Sequence, residues 1–365
     1  MNFFHTHIST RSVELVSETL RSGLVSEGMR VVQFEHQLAE QLGLVRPVAV
    51  NSGTSALHLG LLLAGVQAGD EVILPAQTFV ASGLSVLMCG ARAVFADIQR
   101  SSGNLDPLAV LAKMSPRTKA IMAVHWSGYP CDMDELAAVA AEHNVAVVED
   151  AAHALGATYK GRPIGSVSRF TAFSFQAIKH MTTGDGGALC CLIEKDAAEA
   201  RRRRWFGIDR ERSQPTILGE RDYNLESVGF KYHLNDVGAA IGLGNLTDVH
   251  NNLARHRAIA GAYKAGLRNV DGLVHLEHRA DRQSSWWMFT VLVERREDFI
   301  RALKSRSVPA SVVHLRIDRN SVMGGLRDDL PNQRWFDERQ VSLPIHVGLT
   351  DDDVARVINS VRAGW

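Results

Sequence analysis

The chain has 365 residues, and its 40 Lys and Arg residues balance 40 Asp and Glu residues, so the formal net charge at pH 7 is zero. Hydrophobic residues make up 45% and charged residues 22%, a globular composition that excludes disordered, collagen-like and coiled-coil chains. The zero charge disfavours nucleic acid as a partner, and the apolar runs are far shorter than the roughly 20 residues that span a bilayer. The N-terminus also lacks the pattern of a secretion signal, so we expect a cytoplasmic protein with no membrane partner.

Helical periodicity near the N-terminus, over residues 12–23 and 31–43, predicts a helical arm. From residue 48 to about residue 192, short apolar runs alternate with helical patterns. This alternation indicates an α/β domain whose mostly parallel, seven-stranded sheet is covered by helices on both faces. The predicted strands are residues 48–51, 72–75, 93–97, 120–125, 145–149, 171–175 and 187–192.

A long helical pattern over residues 235–267 leaves this first domain. The remainder contains strand patterns at 288–293 and 310–314 and a last helix at 351–362. Because the length exceeds what one hydrophobic core usually serves, we divide the chain into a large domain, residues 1–245, and a small α+β domain, residues 246–365.

The four cysteines predict buried thiols. Cys190 and Cys191 are adjacent in an apolar run, whereas Cys89 and Cys131 stand alone. This spacing favours neither a disulfide framework nor a CxxC metal pair.

Lys179 is the lysine in the most chemically suggestive setting. It follows a predicted strand in FSFQAIKHMTTGDGGAL, between Ser174 and a run of Thr and Gly residues. A lysine at the end of a sheet can form a Schiff base with an aldehyde cofactor, and small neighbours leave room for a cofactor ring. A solvated loop lysine is the alternative, because most lysines are exposed.

A carboxylate follows another strand, in VAVVEDAAHALG. Asp150 lies at the carboxyl end of that strand, where sites in open α/β sheets are found. It could keep the pyridine nitrogen of pyridoxal phosphate protonated, with His153 beside the cofactor. Alternatively, Asp150 caps a helix, or Glu149, Asp150 and His153 bind a metal. The sequence has no HExxH motif to supply further ligands, which disfavours a metal.

The segment NSGTSALHLGLLLAG places a Gly/Thr/Ser turn between a strand and an apolar helix. Backbone N–H groups and hydroxyls at a helix start bind anions, so Gly53, Thr54 and Ser55 could hold a phosphate, together with Ser174. Ser and Thr also begin many helices that bind nothing. The sequence lacks the P-loop motif and a GxGxxG after its first strand, which disfavours a P-loop nucleotide site and a dinucleotide cofactor.

The segment LPAQTFVASGL ends a strand with a turn that presents Phe79. An aromatic ring at this position could stack on a cofactor. An isolated phenylalanine is more often part of the core, so the residue alone decides nothing.

In chain order, the segments NSGTSALH, PAQTF, EDAAHALG, FSFQAIKHMTTGDGG and GFKYHLND resemble the DegT/DnrJ/StrS family of pyridoxal-phosphate sugar aminotransferases. The resemblance extends from LRSGLVSEGMRVVQFEHQLAEQLG to SLPIHVGLTDDDVARVI, which is nearly the whole chain. It implies the fold-type-I aminotransferase architecture, pyridoxal 5'-phosphate (PLP) as cofactor, and a homodimer with active sites at the subunit interface.

The resemblance also implies roles for individual residues. Lys179 becomes the Schiff-base lysine and Asp150 the partner of the pyridine nitrogen. His153 lies where the family places a polar residue against the ring hydroxyl, and Phe79 where it places an aromatic over the ring. His233 falls where members have an Asn or Arg that reaches the phosphate across the dimer, so histidine is a departure. The implied phosphate positions are Gly53, Thr54, Ser55 and Ser174.

The implied reaction is amino transfer from glutamate to a nucleotide-linked keto-deoxysugar, with Lys179 moving the proton. The run QAIKHMTTGDGG is closer to the family branch that aminates C4 than to the C3 branch. The alternatives are amination of a C3 ketone, amination of a cyclitol ketone such as inosose, and a regulator that binds the cofactor without turnover.

Two departures lie where the family contacts its sugar. Trp287 replaces a histidine that many relatives carry, and VVHLRIDRNSVMGG keeps His314 but has Arg319 in place of a second histidine. Arg316 or Arg319 could bind a diphosphate or carboxylate, or both could be surface arginines.

Overall fold

The computed structural model describes residues 1–210 and 213–365 of the chain. Its strands in chain order are β1 Pro47–Val50, β2 Glu71–Pro75, β3 Arg92–Ala96, β4 Thr118–Val124, β5 Ala146–Asp150, β6 Thr158–Tyr159, β7 Arg162–Pro163, β8 Phe170–Ser174, β9 Gly187–Cys191, β10 Gln214–Pro215, β11 Arg221–Asp222, β12 Leu273–His275, β13 Arg282–Gln283, β14 Phe289–Val293 and β15 Gln340–Leu343.

The helices cover much of the remaining described chain. In chain order they are α1 Thr10–Ser22, α2 Met29–Leu42, α3 Gly53–Leu63, α4 Val80–Met88, α5 Pro107–Lys113, α6 Met133–Glu142, α7 Glu194–Arg204, α8 Asp236–Leu246, α9 Val249–Gly266, α10 Arg296–Ser305, α11 Pro331–Asp337 and α12 Asp351–Arg362.

The central sheet of the described residues has seven strands in the order β1-β9-β8-β5-β4-β2-β3. All seven predicted strands are present, and the fold-class prediction is confirmed. The pairs from β8 through β3 are parallel, whereas β9 runs antiparallel to both β8 and β1. As a result β1, β2, β4, β5 and β8 all end at the same edge of the sheet.

The predicted helical arm is confirmed by α1 and α2. Each helix ends at a glycine in the left-handed conformation, Gly23 with φ 75° and Gly43 with φ 66°. Glycine adopts this conformation without the steric cost that a Cβ would add, so both glycines end their helices cleanly.

Two predictions downstream need correction. The helical pattern at 235–267 is two helices, because the chain turns at Thr247 and Asp248, where the Thr247 hydroxyl donates to the Gly244 carbonyl. Residues 310–314 do not form a strand. Val313 has φ 63°, which is incompatible with extended backbone, and only an isolated bridge joins Ser311 to Ser342.

Apolar clusters cover both faces of the central sheet. A further cluster joins the C-terminal part of α9 to β14, β15 and α12. The strand prediction at 288–293 is confirmed by β14, whose partners β12 and β15 were not predicted. The division at residue 245 lies within α8 and stays a prediction.

The four cysteines are buried free thiols, as predicted. Among residues 1–210 and 213–365, no helix has the length and apolarity needed to cross a membrane. The same described residues contain no cluster of three or more His, Cys, Asp or Glu side chains suited to a metal ion.

Candidate active site

A cavity of about 370 Å³ opens at the edge where the parallel strands end. Its lining gathers residues that are far apart in the sequence, because parallel strands bring their carboxyl ends together. The predicted site residues that line it are Gly53, Thr54, Phe79, Asp150, His153, Ser174, Lys179, Trp287 and His314. The lining residues that were not predicted include Ser52, Thr78, Gln176, Ile178 and Asp185.

Lys179 places its amine against an aromatic ring. Its Nζ lies 3.6 Å from the centroid of the Trp287 ring, within the range of a cation–π contact. Burial of the amine lowers the pKa of Lys179 to about 7, although the negative charge of Asp150 acts in the opposite direction. Near neutral pH a substantial fraction of this amine is therefore unprotonated and able to act as a nucleophile.

We expect this pKa to be visible in the cofactor-free protein. Because only the neutral amine attacks, labelling of Lys179 by trinitrobenzenesulfonate should rise with pH and reach half its maximum near pH 7. Ordinary exposed lysines, with a pKa of about 10.4, should still be gaining reactivity at much higher pH. Mass spectrometry of peptides after brief labelling measures both. A Lys179 rate that keeps rising to about pH 10 would contradict the expectation.

Asp150 ends β5 and is buried, with both carboxylate oxygens held. The backbone N–H of Ala152 donates to Oδ1 at 3.1 Å, and the Ser82 hydroxyl donates to Oδ2 at 2.6 Å. Each oxygen keeps a free lone pair, since a carboxylate offers about four acceptor positions. Asp150 can therefore accept a further N–H from a molecule in the cavity.

Three aromatic rings stack in the wall of the cavity. The His153 and Trp287 ring centroids lie 3.9 Å apart with planes 14° from parallel, and His314 lies 5.7 Å from His153. Burial lowers the pKa of His153 well below its usual range and that of His314 to about 4, and the Lys179 charge adds to both effects. Both imidazoles are therefore neutral near pH 7.

Each of these imidazoles has an unpaired nitrogen. Nδ1 of His153 and Nε2 of His314 are buried and have no hydrogen-bond partner in the described part of the chain. A buried polar atom without a partner is costly, so a bound molecule is the natural partner for each.

The start of α3 forms one end of the cavity. The first N–H groups of a helix have no acceptor inside it and attract anions. Gly53 allows this helix start to approach β8, because a Cβ at residue 53 would lie 2.9 Å from the Ser174 Cβ. Ser55 is turned away from the cavity lining, since its hydroxyl donates to Asn51 Oδ1 at 2.6 Å.

Three other predicted site residues lie outside this lining. Arg316 is buried and its guanidinium pairs with Asp318, and its predicted binding of a diphosphate or carboxylate stays a prediction. Arg319 is exposed. The His233 ring packs edge-on against Trp205, 4.2 Å away, and its predicted contact across a dimer stays a prediction.

Sequence patterns missed the contacts by which some residues act through their neighbours. The indole N–H of Trp287 donates to the Ile178 carbonyl at 2.9 Å, which fixes the backbone beside Lys179. Thr78 and Ser82 connect to Asp150, and their only sequence signal is a pair of hydroxyl residues one helical turn apart.

These groups fit pyridoxal phosphate. The Lys179 amine suits an aldehyde, the Asp150 carboxylate suits a protonated pyridine nitrogen, and the start of α3 suits a phosphate. The unpaired His153 nitrogen suits the ring hydroxyl.

Comparison with known sequences agrees with this chemistry. Residues 6–362 match the sequence model of the DegT/DnrJ/EryC1/StrS aminotransferase family. The chain is 37% identical to the spore coat polysaccharide biosynthesis protein SpsC of Bacillus subtilis, over 97% of this chain and 94% of SpsC. It is also 37% identical to GDP-perosamine synthase of Caulobacter vibrioides, over 91% of this chain and 89% of that protein.

Solved structures that resemble this chain include sugar aminotransferases. The sugar aminotransferase CalS13 from Micromonospora echinospora superimposes with a TM-score of 0.94 at 36% identity, covering 100% of both chains. The PLP-form of Spr1654 from Streptococcus pneumoniae superimposes with a TM-score of 0.91 at 28% identity, covering 100% of this chain and 98% of Spr1654.

Proposed function

Because this chain belongs to the DegT/DnrJ/EryC1/StrS aminotransferase family and is a PLP-dependent sugar aminotransferase, we propose that it transfers an amino group from glutamate to a nucleotide-linked keto-deoxysugar, at C4. The observation that carries the proposal is the meeting of a lysine amine with a lowered pKa and a buried carboxylate in one cavity. Membership of a transaminase family disfavours the alternative of a regulator without turnover.

When bound, PLP supplies an aldehyde that accepts and returns the amino group and a ring that withdraws electrons from the reacting carbon. In the proposal the Lys179 amine would hold the cofactor through that aldehyde and would move the proton at the reacting carbon. Its lowered pKa lets Nζ serve as base and as acid near neutral pH. The Asp150 carboxylate would keep a proton on the pyridine nitrogen.

The remaining cavity residues orient the ligand. The start of α3, with Gly53, Thr54 and Ser174, holds the phosphate, and Phe79 covers the ring. Phe79 is 52% exposed and lies 5.1 Å from the His314 ring, so the two aromatic groups also border the space for the sugar. We propose that the unpaired His314 nitrogen binds a sugar oxygen.

The charged ends of the substrates need cations that this cavity lacks. Lys179 is the sole Lys or Arg among the described residues that line it. In the proposal its amine takes part in amino transfer and is not available to bind these anionic groups. Glutamate and a nucleotide diphosphate are both anionic. This supports the proposal that a homodimer completes the active site, with His233 serving the other subunit.

The acceptor assignment draws on the names of similar proteins and on the sequence. The name of GDP-perosamine synthase includes the nucleotide GDP, and the name of SpsC refers to polysaccharide biosynthesis. The QAIKHMTTGDGG segment favours C4 over C3. Amination of a C3 ketone or of a cyclitol ketone remains the alternative.

Assays with purified protein test the acceptor. We expect glutamate-dependent oxoglutarate formation with nucleotide-linked 4-keto-6-deoxysugars and little with 3-keto isomers or inosose, because the segment after β8 is closer to the C4 branch of the family. NMR of the product locates the amine, and the Lys179→Ala variant provides the blank. Turnover of inosose without turnover of any nucleotide ketosugar would overturn the proposal.

A further inference from the structure

Ser82 is a buried hydroxyl directed at the candidate active site. It lies in the first turn of α4 with 0% of its surface exposed, and its Oγ is 2.6 Å from Oδ2 of Asp150. Behind it, the Oγ1 of Thr78 lies 2.6 Å from the Ser82 Oγ. Because Thr78 lines the cavity, these two hydroxyls connect the cavity wall with the carboxylate.

The direction of these hydrogen bonds follows from the chemistry of the groups. An ionised carboxylate only accepts, so Ser82 donates to Asp150, and its oxygen is then free to accept from Thr78. A hydrogen bond to a charged acceptor is roughly twice as strong as one between neutral groups. A second hydroxyl behind the donor strengthens it further by polarisation.

The hydroxyls do not serve α4 itself. Phe79 occupies the N-cap position and makes no side-chain cap, so the helix start lacks the hydroxyl cap that Ser and Thr usually provide. Ser85, one turn after Ser82 and equally buried, shows the ordinary use of such a hydroxyl, because it donates to the Ser82 carbonyl at 2.8 Å. The Ser82 hydroxyl instead donates to the Asp150 carboxylate.

The backbone around Ser82 is held firmly. A Cβ on the next residue, Gly83, would lie 2.6 Å from Met323 Cε and 2.9 Å from Ile317 Cδ1. This close packing limits the movement of α4 toward those residues and so supports the position of the Ser82 hydroxyl beside β5.

We propose that Ser82, supported by Thr78, is a positioning residue that fixes the plane of the Asp150 carboxylate. The Ala152 N–H holds Oδ1 and Ser82 holds Oδ2, so rotation of the carboxylate is restricted and a free lone pair would stay available to the pyridine nitrogen. This inference rests on the proposed role of Asp150 in PLP binding.

The test compares binding of two ligands to cofactor-free protein, PLP and its analogue in which the ring nitrogen is replaced by CH. Ser82→Ala should weaken PLP binding about tenfold, because the lost bond is to a charged group, and should leave the analogue unaffected. Ser82→Thr should restore PLP binding since it keeps the hydroxyl. The matched control Ser85→Ala should change neither affinity.

Thr78→Val supplies a second measurement. It keeps the side-chain shape, and its smaller effect on PLP affinity should vanish in a Ser82→Ala background, because Thr78 acts through Ser82. Equal losses for both ligands in Ser82→Ala would reveal a structural role, and unchanged affinities would show no role. Either result overturns the inference.

Asp150→Asn tests the premise separately. If it weakens PLP binding and spares the analogue, Asp150 contacts the ring nitrogen, and a Ser82→Ala variant that fails to discriminate then overturns only the Ser82 inference. If Asp150→Asn weakens both ligands equally, the proposed role of Asp150 fails and the Ser82 inference fails with it.

Discussion

Replacing Lys179 with alanine is expected to abolish amino transfer, with a fall in kcat of more than about 10⁴-fold, because one side chain supplies both the covalent attachment and the proton transfer. The side chain lines a cavity, so its removal leaves the apolar clusters of the fold intact. The variant should therefore fold and still bind PLP through the phosphate and ring contacts. Oxoglutarate formation measures turnover, and circular dichroism and PLP absorbance confirm a folded, loaded protein.

Two controls make this result specific. Lys264→Ala removes an exposed lysine that does not line the cavity and should leave turnover unchanged. A small primary amine such as methylamine should partly restore turnover in Lys179→Ala, since it replaces the missing proton carrier. In the unmodified protein, borohydride reduction should fix a phosphopyridoxyl group to Lys179. Attachment at another lysine, or turnover by Lys179→Ala at near the original rate, would remove the proposed role.

Replacing Asp150 with asparagine should give the second largest effect, a fall in kcat of about 10²–10³-fold, as expected when a preorganised charge is removed from a catalytic site. Asparagine has nearly the same shape, and its one carbonyl oxygen can keep the hydrogen bond from the Ala152 N–H, whereas its NH2 group replaces the oxygen that accepts from Ser82. The variant therefore removes the charge and the Ser82 bond while it keeps the side-chain volume. Oxoglutarate formation at saturating substrate measures the effect.

The matched control is Asp352→Asn, which neutralises an exposed carboxylate at the start of α12. Its turnover should equal that of the unmodified protein, because Asp352 does not line the cavity and solvent and salt screen an exposed charge. If Asp150→Asn retained turnover within a factor of about two while Asp352→Asn behaved as expected, the pyridine nitrogen would need another partner.

Much of the site was predictable because its residues stand at recognisable places in the chain. Asp150 directly follows an apolar strand run, and Gly53 and Thr54 directly follow another, so their placement at the ends of strands needed only the hydrophobic pattern. The structure places all three in one cavity together with Lys179.

Other predictions failed where local pattern and local geometry disagree. The apolar run at 310–314 resembles a strand, but the left-handed backbone of Val313 turns the chain and brings His314 to the cavity. The sequence also did not predict that Arg316 is buried and paired with Asp318, two residues later. Neither a backbone dihedral nor an ion-pair partner can be read from hydrophobic periodicity.

The sequence by itself determined the family, the cofactor, the order of the seven central strands along the chain and the identity of Lys179 and Asp150 as the principal candidates. Only the tertiary structure decided which side chains meet across the strands and loops. It placed Trp287 under the Lys179 amine and Ser82 behind the Asp150 carboxylate. The physical reason is that a strand pattern depends on residues adjacent in the chain. Burial and hydrogen bonding instead depend on residues that folding brings together, such as Ser82 and Asp150, which are more than 60 positions apart.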